Sequence, residues 1–154
     1  MKLNTLVATG HRYKHWCGPS AVAIITGRTL KFCHNKFAKL RGKEPRYIKG
    51  VYNHEMRQVL REMGYSLEEI CIERINGSTK PTLANWIDTV QTTDQFRSVV
   101  LLNVTNHYVV AHRGMVCDNK QPNPVPAREH KSARQQIVHA WIVSKIKPTV
   151  RRQK

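Results

Sequence analysis

The feature that most restricts the fold is a change of hydrophobic period just past the middle of the chain. Up to about Val90 the apolar residues recur mostly at helical spacing, and from Ser98 onward they gather in short Val- and Leu-rich runs that suit strands. The first helix is expected over 17–26, a segment apolar almost all round and therefore suited to a buried position. Pro19 fits its first turn, where a missing N–H costs nothing, and Gly27 supplies the stop. A second helix is expected over 30–40, with Phe32, Phe37 and Leu40 on one face and a break at Gly42-Lys43-Glu44-Pro45. A third covers 53–63, with Asn53 as cap, Met56, Val59, Leu60 and Met63 at helical spacing, and Gly64 behind it. A fourth covers 81–90, with Thr79 as candidate cap and Leu83, Trp86, Ile87 and Val90 on its apolar face.

Strands are expected at 98–104, 107–111 and 115–117, the last pair joined by a turn at Arg113-Gly114. A weak alternation suggests another at 67–75, and 137–146 reads as a closing strand. Between them, 119–136 carries three prolines and many charges and reads as a long loop. Helices first and antiparallel strands second imply an α+β fold, with N-terminal helices packed on one face of a C-terminal antiparallel sheet. The 154 residues make one domain spanning 1–154, with a basic tail at about 147–154. That length buries a core without metal or disulfide staples, and Trp86 and Trp141 are expected in it.

The charge balance is unusual. Lysine and arginine number 26 against 10 aspartates and glutamates, a formal net charge of +16. Such a field attracts nucleic acid, an anionic surface or an acidic protein, although no RNA-recognition signature is present. No run approaches the roughly 18–20 uninterrupted apolar residues of a membrane span, and the N-terminus does not read as a signal peptide. A cytoplasmic location follows as the expectation. Cys17, Cys33, Cys71 and Cys117 show no Cys-x-x-Cys spacing and read as free thiols. Cys33-His34 and the pair His11 and His15 lack a matching second half of a zinc motif, so neither a metal nor any other cofactor is expected.

Cys17 stands apart from the other thiols. It opens an apolar helix, where the positive end of the helix dipole favours the thiolate. Gly18 and Pro19 keep the side chains near its sulfur small, and its own backbone N–H is one of the unpaired donors of a helix start, able to help cradle an oxyanion. His107, at the start of the apolar run Tyr-Val-Val-Ala, is a polar residue that needs a reason and can serve as the base. A third group must hold the imidazole by its other nitrogen. Symmetry about a turn centred on 112 and 113 would bring position 118 level with 107. Asp118 is therefore the first choice for that group and Asn119 the next in line.

The segments Cys17-Gly18-Pro19-Ser20-Ala21, His107-Tyr108-Val109-Val110 and Gly114-Met115-Val116-Cys117-Asp118 closely resemble motifs of papain-like cysteine peptidases. The nearest branch is that of the leader-peptide (double-glycine) peptidases of bacteriocin exporters and related small bacterial or phage proteins. The resemblance implies a papain-like domain and acyl-enzyme hydrolysis of a peptide or isopeptide bond. Cys17 would be nucleophile, His107 general base and Asp118 the orienting residue. A phage-encoded member would act in the host cytoplasm or the virion. The pattern departs at one position: those enzymes carry a glutamine about six residues ahead of the nucleophile, and this chain has His11 there. His11 is the tentative oxyanion donor. Without an equivalent donor, oxyanion stabilisation falls by about 2–4 kcal/mol. The alternative is a catalytically weak papain-like scaffold that serves as a basic module for nucleic acid or an acidic protein.

Overall fold

The computed structural model describes residues 1–4, 16–73 and 79–148. Helix α1 (Cys17–Thr26) is buried from Gly18 to Ile25, as its all-round apolar sequence requires. Its C-terminus is closed by Gly27, left-handed at φ 73°. Asn4 completes the closure: its Nδ2 donates to the carbonyls of Ile24 at 2.9 Å and Ile25 at 3.2 Å, two acceptors the helix leaves unpaired. At the other end Gly18 has no substitute, because a Cβ there would overlap the Val51 side chain.

Helix α2 (Leu30–Arg41) is capped by Thr29, whose hydroxyl accepts from Phe32 N at 3.2 Å. Leu30, Cys33, His34 and Phe37 form its buried stripe at spacings of three and four. Phe32 was expected beside Phe37, yet five residues of helix rotate it away, and it is 39% exposed. The Arg28 guanidinium and the Lys36 ammonium cover its ring instead, at 5.2 and 5.7 Å from the centroid. Helix α3 (Asn53–Glu62) follows. Its cap is Tyr52 rather than Asn53: the Glu55 carboxylate accepts from Tyr52 N at 2.8 Å, which frees the Asn53 side chain for the sheet.

Strand β1 (Tyr65–Glu69) lies between helices, and α4 (Leu83–Thr89) and the single-turn α5 (Asp94–Arg97) precede the remaining strands. The cap of α4 is Thr82, accepting from Asn85 N at 3.3 Å, not Thr79. The remaining strands are β2 (Val99–Val104), β3 (His107–His112), β4 (Met115–Cys117), β5 (Val125–Pro126) and β6 (Ile137–Lys145). They join β1 in one antiparallel sheet of order β1-β6-β2-β3-β4-β5. The last strand is thus inserted beside the centre rather than added at an edge. The segment read as a long loop contains β5 and a 3₁₀ turn at Ala127–Glu129. Pro126 sits in β5 at the sheet edge, where a missing N–H breaks no interior ladder.

Both faces of the sheet are covered. Leu101, Tyr108, Val110 and Trp141 pack with α1, α2 and α3, while Val100, Leu102, Val109 and Ala111 pack with Leu83, Trp86 and Ile87 of α4. Alternation along β2 and β3 feeds the two cores in turn, so the sequence expectation of a single covered face misses α4. Each fully buried Val or Leu contributes about 1.5–3 kcal/mol. Among the described residues no helix is long and apolar enough to cross a membrane.

Candidate active site

The site lies where the start of α1 meets the β2–β3 hairpin. That hairpin turns in two residues, Thr105 and Asn106, both at positive φ (48° and 62°), and the Asn103 side chain accepts from Asn106 N at 3.1 Å. The turn holds His107 opposite Val104 at the sheet's end. It is braced from α3: Asn53 Oδ1 accepts from Tyr108 Oη at 2.5 Å and from Asn103 Nδ2 at 3.3 Å. The sequence offers Asn53 only as a cap, Tyr108 only within a motif and Asn103 not at all, because their joint role depends on two segments about fifty positions apart.

His107 Nε2 lies 2.7 Å from Asp118 Oδ2, which leaves Nδ1 as the nitrogen that faces the thiol. The expected level pairing of 107 and 118 is not how this arises. The ladder pairs Val110 with Cys117 and His112 with Met115, and the turn is centred on Arg113 and Gly114, at φ 50° and 80°. In that register 118 falls level with Val109, so Asp118 and His107 are diagonal neighbours of the same parity, within reach of an imidazole. Asp118 is 2% exposed. Its Oδ1 accepts from Lys120 N at 2.8 Å and Gln121 N at 2.7 Å, so the loop after β4 grips one oxygen and presents the other. Asn119 lines the groove beside Cys17, but the bond to His107 is made by Asp118.

The electrostatics of the three groups are linked. Burial by itself raises the Cys17 thiol, yet its pKa is lowered, because His107 hydrogen-bonds it and the N–H groups of Tyr108 and Gly18 donate to the sulfur. Burial alone would depress His107, but the Asp118 carboxylate and then Cys17 raise it to about 9. Burial also works against ionising Asp118, and hydrogen bonds from His107, His130 and Gln121 N hold it far below the usual carboxylate range. All three shifts run toward a thiolate facing an imidazolium backed by a carboxylate, a pairing in which the thiolate is a nucleophile.

A groove of about 1110 Å³ opens over Cys17 and His107, with Arg41, Tyr52, Lys49 and Lys120 among its walls. Its volume is somewhat above the roughly 300–1,000 Å³ range of small-molecule pockets, which suits an extended chain. One wall is locked by the Arg41–Glu55 pair: Arg41 Nε and Nη2 both donate to the carboxylate at 2.6 Å, and Nη2 also donates to Gly50 O at 2.5 Å. His11, the tentative oxyanion donor, lies outside the described residues, as does most of the basic tail. Cys17, Cys33, Cys71 and Cys117 are all free thiols.

No protein-family model matches the chain, and no curated protein matches its sequence. Among solved structures, it is similar to the crystal structure of a double glycine motif protease from an AMS/PCAT transporter in complex with the leader peptide. The TM-score is 0.53 at 14% identity, over 91% of this chain and 90% of that one. At that identity the likeness shows the fold alone: helices on an antiparallel sheet in the papain-like peptidase arrangement.

Proposed function

We propose that the chain is a thiol hydrolase of the cysteine peptidase kind, acting on a peptide or isopeptide bond through a Cys17-His107-Asp118 triad. The observation that carries this reading is the convergence of those three side chains beside one groove, with His107 bonded to the thiol on one side and to Asp118 at 2.7 Å on the other. The Cys17 thiolate attacks the carbonyl carbon, and the negative charge moves to the oxygen, which the Cys17 N–H helps to hold. The His107 imidazolium gives its proton to the leaving amine as the C–N bond breaks, leaving a thioester. Water then adds to the thioester, with His107 taking its proton, and the acid leaves as the thiolate–imidazolium pair reforms. Asp118 fixes the ring and stabilises its positive form.

The solved neighbour binds a leader peptide, which supports a peptide substrate in the groove of this chain too. A leader-peptide peptidase is the branch that fits this best, and amidases or acyl transferases would use the same groups. The test is acyl-enzyme trapping with p-nitrophenyl acetate, followed by peptide mass mapping. The reading expects an acetyl group on Cys17 that hydrolyses with time and is absent from Cys17→Ala. Acetylation spread evenly over the four cysteines contradicts it.

A second reading has its own observation. Helix α2 and its flanks expose Arg28, Lys31, Lys39 and Lys43, and Arg28 and Lys36 cover the exposed ring of Phe32, a basic surface suited to a polyanion such as nucleic acid. Binding to a generic duplex that weakens steeply between about 50 and 200 mM salt supports it, and salt-independent or absent binding contradicts it.

A further inference from the structure

His130 is a buried titratable group for which the mechanism above has no use. It follows the 3₁₀ turn Ala127–Glu129 in the proline-rich segment and is 3% exposed. Its Nε2 lies 3.4 Å from Asp118 Oδ2, the oxygen that faces His107. Its other nitrogen, Nδ1, accepts a hydrogen bond from Ser132 N at 3.1 Å. A ring nitrogen that accepts an N–H carries a lone pair, so the proton of this imidazole belongs on Nε2, directed toward the carboxylate. The 3.4 Å separation is longer than a close hydrogen bond, and Nε2 makes no hydrogen bond among the described residues, which leaves the carboxylate as its nearest charged neighbour. A buried N–H without a better acceptor favours a carboxylate at that distance, since the alternative is an unsatisfied donor.

The geometry of Asp118 shows what such a contact controls. Two backbone N–H groups, of Lys120 and Gln121, hold Oδ1. With that oxygen fixed, the carboxylate can still pivot about it, and rotation would carry Oδ2 off the line to His107. His130 Nε2 approaches that same free oxygen, at 3.4 Å, and so is placed to limit the pivot. We infer that His130 is a positioning residue, whose Nε2–H holds Asp118 Oδ2 in line with His107, extending the triad to a His107–Asp118–His130 relay of contacts. It is not among the residues that line the groove, and it acts through Asp118. The inference rests on the triad reading of Cys17, His107 and Asp118.

Three measurements on the full chain test it without any substrate. In the wild-type protein, two-bond nitrogen–proton spectra of labelled histidine should show a proton on His130 Nε2 and a lone pair on Nδ1; an Nδ1–H tautomer overturns the inference. Iodoacetamide alkylation of Cys17 at pH 6 should slow by about tenfold in His130→Phe, an effect of the size that loss of an outer hydrogen-bonding partner produces elsewhere. His130→Gln, whose amide N–H can reach the same oxygen, should recover most of that rate. The low-field proton resonance of the His107–Asp118 bond should be sharp in the wild type and His130→Gln and broadened in His130→Phe. If both variants alkylate at the wild-type rate, or Gln does no better than Phe, His130 is structural only. Should His130→Phe fail to fold, the wild-type tautomer and the His130→Gln rate still decide. The triad reading fails separately, on a wild-type Cys17 that is no more reactive than Cys71.

Discussion

Cys117 and Cys17 border the same core on the same side of the sheet, and their thiols are driven in opposite directions. Burial raises Cys117 to about 12, and the charge of Asp118 next to it adds to the rise. Cys33, deep under α2, is likewise raised by burial to about 11. Cys17 meets the same desolvation, yet its pKa falls, because an imidazole and two backbone N–H groups converge on its sulfur. The difference teaches that burial by itself silences a thiol in this core. Position at a helix start, opposite a strand end, supplies the donors that reverse the effect. Asp118 takes part on both sides: it raises His107, which serves Cys17, and it presses Cys117 toward the neutral form.

The strongest way to break this contrast is His107→Ala. It removes the largest of the contributions that lower Cys17, and alkylation of Cys17 at pH 6 should fall by about 100-fold, toward that of an ordinary thiol. A rate within threefold of wild type would mean that the helix start alone makes the thiolate. Next comes Gly18→Ala, in which the new Cβ overlaps Val51 and comes within 3.4 Å of the Met56 sulfur. Overpacking of this kind should lower the unfolding free energy by about 2 kcal/mol in urea titrations, with partial recovery on adding Val51→Ala. Unchanged stability would show that the start of α1 is not pinned as described.

Asp118→Asn should reduce Cys17 alkylation at pH 6 by about tenfold, since it keeps an acceptor for His107 but removes the charge. The same variant sharpens the pH dependence of stability. His107 is raised to about 9, so its contribution is complete below an ordinary histidine pKa near 6.5 and is lost as pH rises through about 9. Asp118 is lowered, so its contribution is present above an ordinary carboxylate pKa near 4 and is lost as pH falls below it. Thermal melts should therefore show a wild-type plateau between those limits, with both shoulders reduced in Asp118→Asn. The smallest effect is expected of Cys117→Ala, about 1 kcal/mol of lost packing with no change in the Cys17 alkylation rate. A fall in that rate would tie the two thiols together.

Much of this was legible from the chain because it is local. The limits of α1 follow from its apolar run, Pro19 and Gly27, and the β3–β4 turn follows from Arg113-Gly114. Cys17, His107 and Asp118 emerged from motif order, although the hairpin arithmetic centred the turn one residue early and so set the register two residues off. The turn is centred on Gly114 because that glycine adopts φ 80° readily, with Arg113 ahead of it also at positive φ. Long-range features were not legible. Asn53 resembles a helix cap by type, and nothing nearby in sequence says that its side chain turns to Tyr108 and Asn103. His130 sits in a segment whose prolines and charges read as loop, and its importance comes from a contact with Asp118 across a turn. Phe32 misled because an aromatic at roughly helical spacing was assigned to the core, where the cations beside it already indicated a surface.

The central claim is that Cys17 is held as a thiolate by His107, and the rate of iodoacetamide labelling of each cysteine as a function of pH tests it most directly. The account predicts that Cys17 is labelled first, ahead of the other three cysteines at pH 6, with a rate that climbs clearly less than tenfold per pH unit between pH 6 and 8. A Cys17 rate that climbs about tenfold per pH unit through that range, as a thiol of pKa near 8.5 requires, would contradict it.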